Sequence, residues 1–95
     1  MVIRVLDITH AADTGAQGAL LGKVLLRALS AGDSVEISFS GIATATSSFV
    51  NASFVPLLET MTFSDIKKRV RVTESSAQIN HMIKLCVERS ALQTA

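Results

Sequence analysis

Two short β-type segments enclose a longer stretch of helical periodicity, and this order restricts the possible folds more than any other feature of the chain. Residues 2–8 are rich in β-branched side chains, and residues 35–39 alternate apolar with polar ones, so both segments predict strands. Between them, apolar residues recur at the spacing of one helix face: Leu21, Val24, Leu25, Ala28 and Leu29. Strands joined by a helix of this kind favour a right-handed crossover and parallel pairing.

The second half of the chain repeats this alternation. A second helix is expected after the small-residue loop at residues 42–48, capped by Ser47 or Ser48. Pro56 should kink this helix or mark a shorter first segment. The buried face of the helix would include Val50, Phe54, Leu57, Leu58 and Met61. Residues 68–72 then predict a third strand, with its basic residues facing outward.

A last helix is expected after a capping box formed by Ser75 with Gln78. Its core stripe would be Ile79, Met82, Ile83, Cys86 and Val87. The sequence therefore predicts a single α/β domain over residues 1–95 with the order β-α-β-α-β-α. Its sheet should be mostly parallel or mixed, with the helices packed mainly on one face.

The composition excludes several classes of protein. Hydrophobic residues make up 48 % of the 95 residues and charged residues 18 %, which is enough apolar surface for a folded core. A net charge of +1 without Trp or Tyr supplies neither the field nor the stacking surface of a nucleic-acid-binding protein. No apolar run reaches the ~20 residues of a membrane span. With one cysteine, Cys86, no internal disulfide can form, and a cytoplasmic location is expected.

Three glycines and two histidines are the weaker candidates for chemistry. Gly15, Gly18 and Gly22 do not match a phosphate-binding loop, and close packing of the first helix on the sheet is the role predicted for Gly18 and Gly22. His10 and His81 have no cluster of further ligands at metal-binding spacing, so neither a metal nor a cofactor is expected. His81 should face the solvent boundary of the last helix.

The main concentration of charge consists of Lys67, Lys68, Arg69 and Arg71. On a strand, Lys67, Arg69 and Arg71 would share one face. Two interpretations stay open. The charges would either protect a sheet edge from unwanted pairing or form a docking patch for an acidic partner or phosphate.

The segment at residues 41–51 joins the second strand to the next helix and is the strongest candidate for a binding site. In open α/β sheets, ligands and partners bind at the carboxyl ends of the strands. Thr46, Ser47 and Ser48 offer hydroxyls that either cap the free N–H groups of the helix or accept a phosphoryl group. A minimal hydrolase built on Ser48 and His10 is an alternative, although no nucleophile-elbow motif supports it.

The residues around this turn resemble a known family. Residues 35–42 (VEISFSGI) form a hydrophobic strand that ends in a small residue and glycine, and residues 46–54 (TSSFVNASF) open a helix with Ser48 and Phe49. This pattern resembles the small bacterial STAS-like domains of unassigned function. Those domains are similar to the sulfate transporter and anti-sigma factor antagonist domains.

The resemblance implies a protein-contact turn that is controlled by phosphorylation. In anti-sigma factor antagonists the equivalent turn carries Asp-Ser-Ser/Thr-Gly, and a kinase-like ATPase phosphorylates a serine there. Ser47 and Ser48 match the serine positions, whereas Thr46 stands at the Asp position and Phe49 at the Gly position. A histidine-kinase-type ATPase or another regulator is therefore the implied partner.

The chain as a whole is predicted to be a non-enzymatic regulatory module that binds a protein partner through residues 41–51. Ser47 and Ser48 would supply hydroxyls, Phe49 an apolar anchor or a core plug, and Asn51 a side-chain amide. A small-ligand or phosphate-binding domain that uses the same helix N-terminus is the alternative. An exposed sheet edge or the last helix offers a route to a homodimer.

Overall fold

The computed structural model describes residues 1–94, with side chains over residues 1–92. Three strands form one sheet: β1 (Val2–Arg4), β2 (Val35–Ser38) and β3 (Val70–Thr73). Four α-helices accompany the sheet: α1 (Gly15–Ser30), α2 (Ser47–Ser53), α3 (Phe63–Arg69) and α4 (Ala77–Thr94). Two 3-10 turns, Val5–Asp7 and Val55–Glu59, complete the described elements.

The strands lie in the order β1-β2-β3, and both neighbouring pairs are parallel. Ile3, Ile37 and Val72 share one row across the sheet and belong to the hydrophobic core or pack against it. The adjacent row begins at Val2 and ends at Arg71, and both of these side chains are exposed. The helices therefore cover one face of the sheet, and the α/β fold predicted from the sequence is confirmed.

The first strand is shorter than the predicted range of residues 2–8. It pairs with β2 as far as Ser38, which is the last residue of β2. Beyond this point the N–H groups of Ile8 and Thr9 both donate to the carbonyl oxygen of Val5. Residues 5–8 still include β-branched side chains, but β2 has no further residue with which they could pair. Local hydrogen bonds therefore replace strand pairing.

The third strand begins two residues later than predicted, because a helix occupies the start of the basic run. The Thr62 hydroxyl oxygen caps α3 by accepting a hydrogen bond from the N–H of Asp65 (3.1 Å). Lys67 and Arg69 consequently lie in the last turn of α3, where cations interact favourably with the helix dipole. Arg71 lies on β3. The prediction that these three side chains share one face of a strand is wrong.

The predicted second helix is divided at Phe54. The first segment, α2, ends at Ser53, and Pro56 lies in the first turn of the following 3-10 segment. Proline has no N–H to donate to the preceding turn, which accounts for the shorter first segment that the sequence allowed. Val50 in α2 and Leu57 in the 3-10 segment are both fully buried.

α1 and α2 approach each other closely at two glycines of α1. A Cβ atom built on Gly18 would lie 2.3 Å from the carbonyl oxygen of Phe49, and one built on Gly22 would lie 2.9 Å from that of Ala52. The missing side chains allow the helix backbones to come into contact. These glycines serve helix-to-helix packing, and the predicted helix-to-sheet role is wrong.

Candidate partner-binding site

The loop after β2 lies between the loops that follow the other two strands, at the carboxyl ends of the sheet. On one side, the N–H of Thr46 donates to the carbonyl oxygen of Ala12 (3.0 Å), and the Thr46 hydroxyl donates to that of Asp13 (2.7 Å). On the other side, the Ser76 hydroxyl donates to the carbonyl oxygen of Ala43 (2.7 Å). The turn is thus attached at both flanks to neighbouring segments.

Gln78 fixes the middle of this loop. Its Oε1 accepts a hydrogen bond from the N–H of Ala45 (2.9 Å), and its Nε2 donates to the carbonyl oxygen of the same residue (3.0 Å). Ser76 caps α4 by accepting from the N–H of Ile79 (3.2 Å). The predicted capping box of Ser75 with Gln78 is therefore wrong, because Gln78 is used to hold the turn.

The helix cap at this site is Thr46. Its hydroxyl oxygen accepts a hydrogen bond from the N–H of Phe49 (3.2 Å) at the start of α2. Ser47 and Ser48 are exposed, and neither hydroxyl forms a hydrogen bond within the part of the chain that the structure describes. Of the three hydroxyls that the sequence offered as caps, Thr46 takes this role; Ser47 and Ser48 do not, so the expectation that one of these two serines is the cap is wrong and both of their hydroxyls stay accessible.

Phe49 and Asn51 take opposite positions on α2. Phe49 is 0 % exposed, and its ring meets that of Phe39 edge to face with centroids 6.4 Å apart. Of the two roles left open by the sequence, Phe49 is the core plug. Asn51 is exposed, so its side-chain amide is available at the surface.

A groove of about 450 Å³ adjoins the turn between α2 and α4. It is lined by Ser47, Asn51, Val55, Met82, Leu85, Cys86, Arg89 and Ser90. Leu85 is 40 % exposed. Met82 packs against the hydrophobic core, as the sequence predicted, and also lines this groove. Sequence reasoning missed Leu85, which lies three residues further along the same side of α4. The groove adds an apolar wall beside the exposed hydroxyls.

The thiol in this groove is poorly suited to nucleophilic chemistry. Burial raises the pKa of the Cys86 thiol, and the nearby Arg89 guanidinium opposes that shift by lowering it. Since the net direction is upward, the thiol is protonated at neutral pH, and a thiol is a weaker nucleophile than a thiolate. Cys86 also contacts the Met82 sulfur at 3.8 Å.

The basic residues lie at the end of the sheet opposite the turn, around a depression of about 470 Å³ at the amino ends of the strands. Arg69 donates through Nη2 to the carbonyl oxygens of Leu29 (2.7 Å) and Asp33 (2.8 Å), so it fastens the end of α1. Arg71 is exposed on the face of the sheet opposite the core. Lys67, Lys68, Arg69 and Arg71 all line this depression. The Arg69 side chain is already hydrogen-bonded to the end of α1.

No group of three or more His, Cys, Asp or Glu side chains among the described residues is placed to hold a metal ion. His81 is exposed on α4, as the sequence predicted. Within residues 1–94, no helix has both the length and the apolar character required to cross a bilayer.

This geometry defines a class of protein: a small α/β domain with one helical layer and an exposed, anchored strand-to-helix turn. The chain belongs to the family of STAS-like domains of unknown function, whose pattern matches residues 17–80. The matched range begins in α1, includes the whole turn and ends in the first turn of α4. Searches of curated proteins and of solved structures gave no match.

Replacing Thr46 by alanine should lower the stability of the domain by about 1–2 kcal/mol, because α2 loses its N-cap and Asp13 loses a hydrogen-bond donor. Thr46→Ser should retain most of the stability. Ser48→Ala is the matched control, with an expected change within about 0.5 kcal/mol. Urea unfolding followed by circular dichroism measures all three, and equal midpoints for Thr46→Ala and Ser48→Ala would contradict the assignment of the cap.

Proposed function

We propose that this STAS-like domain is a non-enzymatic regulatory module that binds a protein partner through residues 41–51. The observation that supports the proposal best is the pair of exposed serine hydroxyls on a turn attached at both flanks. A contact surface that is already ordered binds without the entropic cost of ordering a loop. A histidine-kinase-type ATPase or another regulator is the partner class that the family resemblance suggests.

The groove beside the turn supports a protein partner. Exposed Leu85 and half-buried Met82 offer apolar contact, and Arg89 and Asn51 offer polar contact at the margin. An apolar centre with a polar rim is the usual anatomy of a protein–protein interface. We expect the partner to cover the turn and part of this groove together.

The same geometry is less suited to binding a small anionic ligand. Residues 39–51 include no lysine or arginine. The first turn of α2 also has two of its N–H donors engaged, since Phe49 donates to the Thr46 hydroxyl and Val50 to the Thr46 carbonyl. Protein contact is therefore the function that we put forward.

Phosphorylation of Ser48 would control this contact without unfolding the domain. Ser48 lies in the first turn of α2, where the helix dipole favours negative charge, so the fold can accept a phosphate there. The phosphate adds nearly two negative charges to the surface that the partner must desolvate. Control would then act on binding and leave the architecture intact.

Ser48→Asp should weaken partner binding by at least about tenfold, because a charge at this position opposes desolvation at the interface. The wild type and the variant are used to capture proteins from the native host, and the dissociation constant is then measured with the purified partner. Ser48→Ala removes one hydroxyl of the contact surface without adding charge, so it should weaken binding less than Ser48→Asp does. Ser64→Asp, at an exposed serine on α3, is the control for the added charge and should also bind normally. Equal affinity of Ser48→Asp and wild type would contradict control at this serine.

A further inference from the structure

The depression at the amino ends of the strands concentrates positive charge. Four basic side chains line it: Lys67, Lys68, Arg69 and Arg71. Among the described residues of the lining, only Glu36 is acidic, so three positive charges are in excess. The whole chain has a net charge of +1, which means that the rest of the chain is net acidic. A concave surface lined by charges of one sign raises the local concentration of ligands of the opposite sign.

Structural roles account for only part of this charge. Protection of a sheet edge applies at most to Arg71, because the other three basic residues lie in the last turn of α3, ahead of the strand. The carboxyl end of a helix carries only about half a negative charge, which cannot balance three cations. Among the described residues, none of the four forms an ion pair with a carboxylate. Holding unpaired like charges together is unfavourable, and a bound anion would offset that cost.

The nearest carboxylate leaves Arg71 without a partner. Glu36 is the cross-strand neighbour of Arg71. Its Oε2, however, accepts a hydrogen bond from the hydroxyl of Thr73 (3.3 Å), which lies two residues further along β3. The Arg71 side chain is exposed and has no hydrogen-bond partner within the described part of the chain. Its planar guanidinium is therefore free to bind two oxygens of one phosphate group.

Two of the other cations are held in place by the fold. Arg69 donates through Nη2 to the carbonyl oxygens of Leu29 and Asp33, whereas its Nε and Nη1 have no partner among the described residues. Nζ of Lys67 lies 5.4 Å from the centroid of the Phe63 ring. Charges that are positioned before binding lose less conformational freedom when a ligand arrives.

We infer that this depression binds a soluble compound that carries two or more phosphate groups. Its volume of about 470 Å³ lies in the range of roughly 300–1,000 Å³ that is typical of small-molecule sites. One phosphate group brings at most about two negative charges, which is less than the excess of three. An acidic peptide brings one charge per residue, so several of its side chains would have to converge on one depression. Linked phosphate groups supply the same charge in a smaller volume.

Isothermal titration calorimetry of the full chain with inorganic tripolyphosphate, at low ionic strength, tests the inference. One tripolyphosphate should bind per chain, at least about tenfold more tightly than inorganic phosphate, because it carries more negative charge. Arg71→Gln and Lys68→Gln should each weaken the binding by about tenfold, since each removes a charge-assisted contact. Lys23→Gln is the matched control. It removes one charge at an exposed lysine on α1 and should leave the affinity unchanged.

A second measurement uses the wild type alone. During the titration, the amide chemical shifts of Lys68 and Arg71 should change, and that of Lys23 should not. Absence of tripolyphosphate binding would overturn the inference, as would equal affinities for all three variants. Tighter binding of phosphatidylglycerol vesicles or of an oligoglutamate peptide would also overturn it, and would assign the depression to a membrane surface or to an acidic protein. The inference does not depend on the proposed function, because the depression and the turn lie at opposite ends of the sheet.

Discussion

Replacing Phe49 by alanine should destabilise the domain strongly, because this side chain is fully buried in the core. Phe49 is 0 % exposed and packs edge to face on Phe39. Truncating a buried phenylalanine to alanine costs about 3–5 kcal/mol. Small domains are stable by only about 5–15 kcal/mol, so the loss would be a large part of the margin. Urea unfolding followed by circular dichroism should show a much lower midpoint.

The matched control for this variant is Asn51→Ala, two residues further along the same helix. Asn51 is exposed, and its truncation should change the stability by less than about 0.5 kcal/mol. For partner binding the order should be reversed. Asn51→Ala should weaken binding more than Phe49→Ala does in its folded form, since Asn51 belongs to the proposed contact surface. A Phe49→Ala protein with a normal unfolding midpoint but no partner binding would show that Phe49 is an interface anchor, contrary to its buried position.

The order of strands and helices could be predicted because its signals are local. Alternation at residues 35–39 and the helical spacing from Leu21 to Leu29 depend on side chains close together in the chain. The ends of the elements depend on distant partners. The first strand stops after Arg4 because β2 ends at Ser38, and no feature of residues 5–8 themselves marks that point.

The same distinction applies to the candidate site. The place of the turn followed from the rule that parallel strands present their carboxyl ends to ligands and partners. Its internal contacts did not follow, because they join residues far apart in sequence. Thr46 is fixed by the carbonyl of Asp13, and Ala45 by the side chain of Gln78, each across 33 residues. Local capping preferences therefore offered Thr46, Ser47 and Ser48 alike as caps of α2 and could not single out Thr46.

Replacing Gly18 by alanine should also destabilise the domain strongly, although alanine is the better helix former. An added Cβ would lie 2.3 Å from the carbonyl oxygen of Phe49 and 3.0 Å from the Cβ of Ala52. The first of these contacts is with backbone, so relief requires α1 and α2 to move apart. Overpacking of this kind costs about 1–3 kcal/mol, which exceeds the gain of up to about 1 kcal/mol in helix propensity.

A graded series of glycine variants tests this explanation. Gly22→Ala, with its nearest contact at 2.9 Å from the Ala52 carbonyl oxygen, should be less damaging than Gly18→Ala. Gly15→Ala is the matched control, since the nearest atom to its added Cβ lies 3.9 Å away, and its stability should stay within about 0.5 kcal/mol of wild type. Because α2 begins at the proposed contact surface, Gly18→Ala should also weaken partner binding under conditions in which it is still folded. Equal unfolding midpoints for Gly18→Ala and Gly15→Ala would show that α1 and α2 are not in close backbone contact.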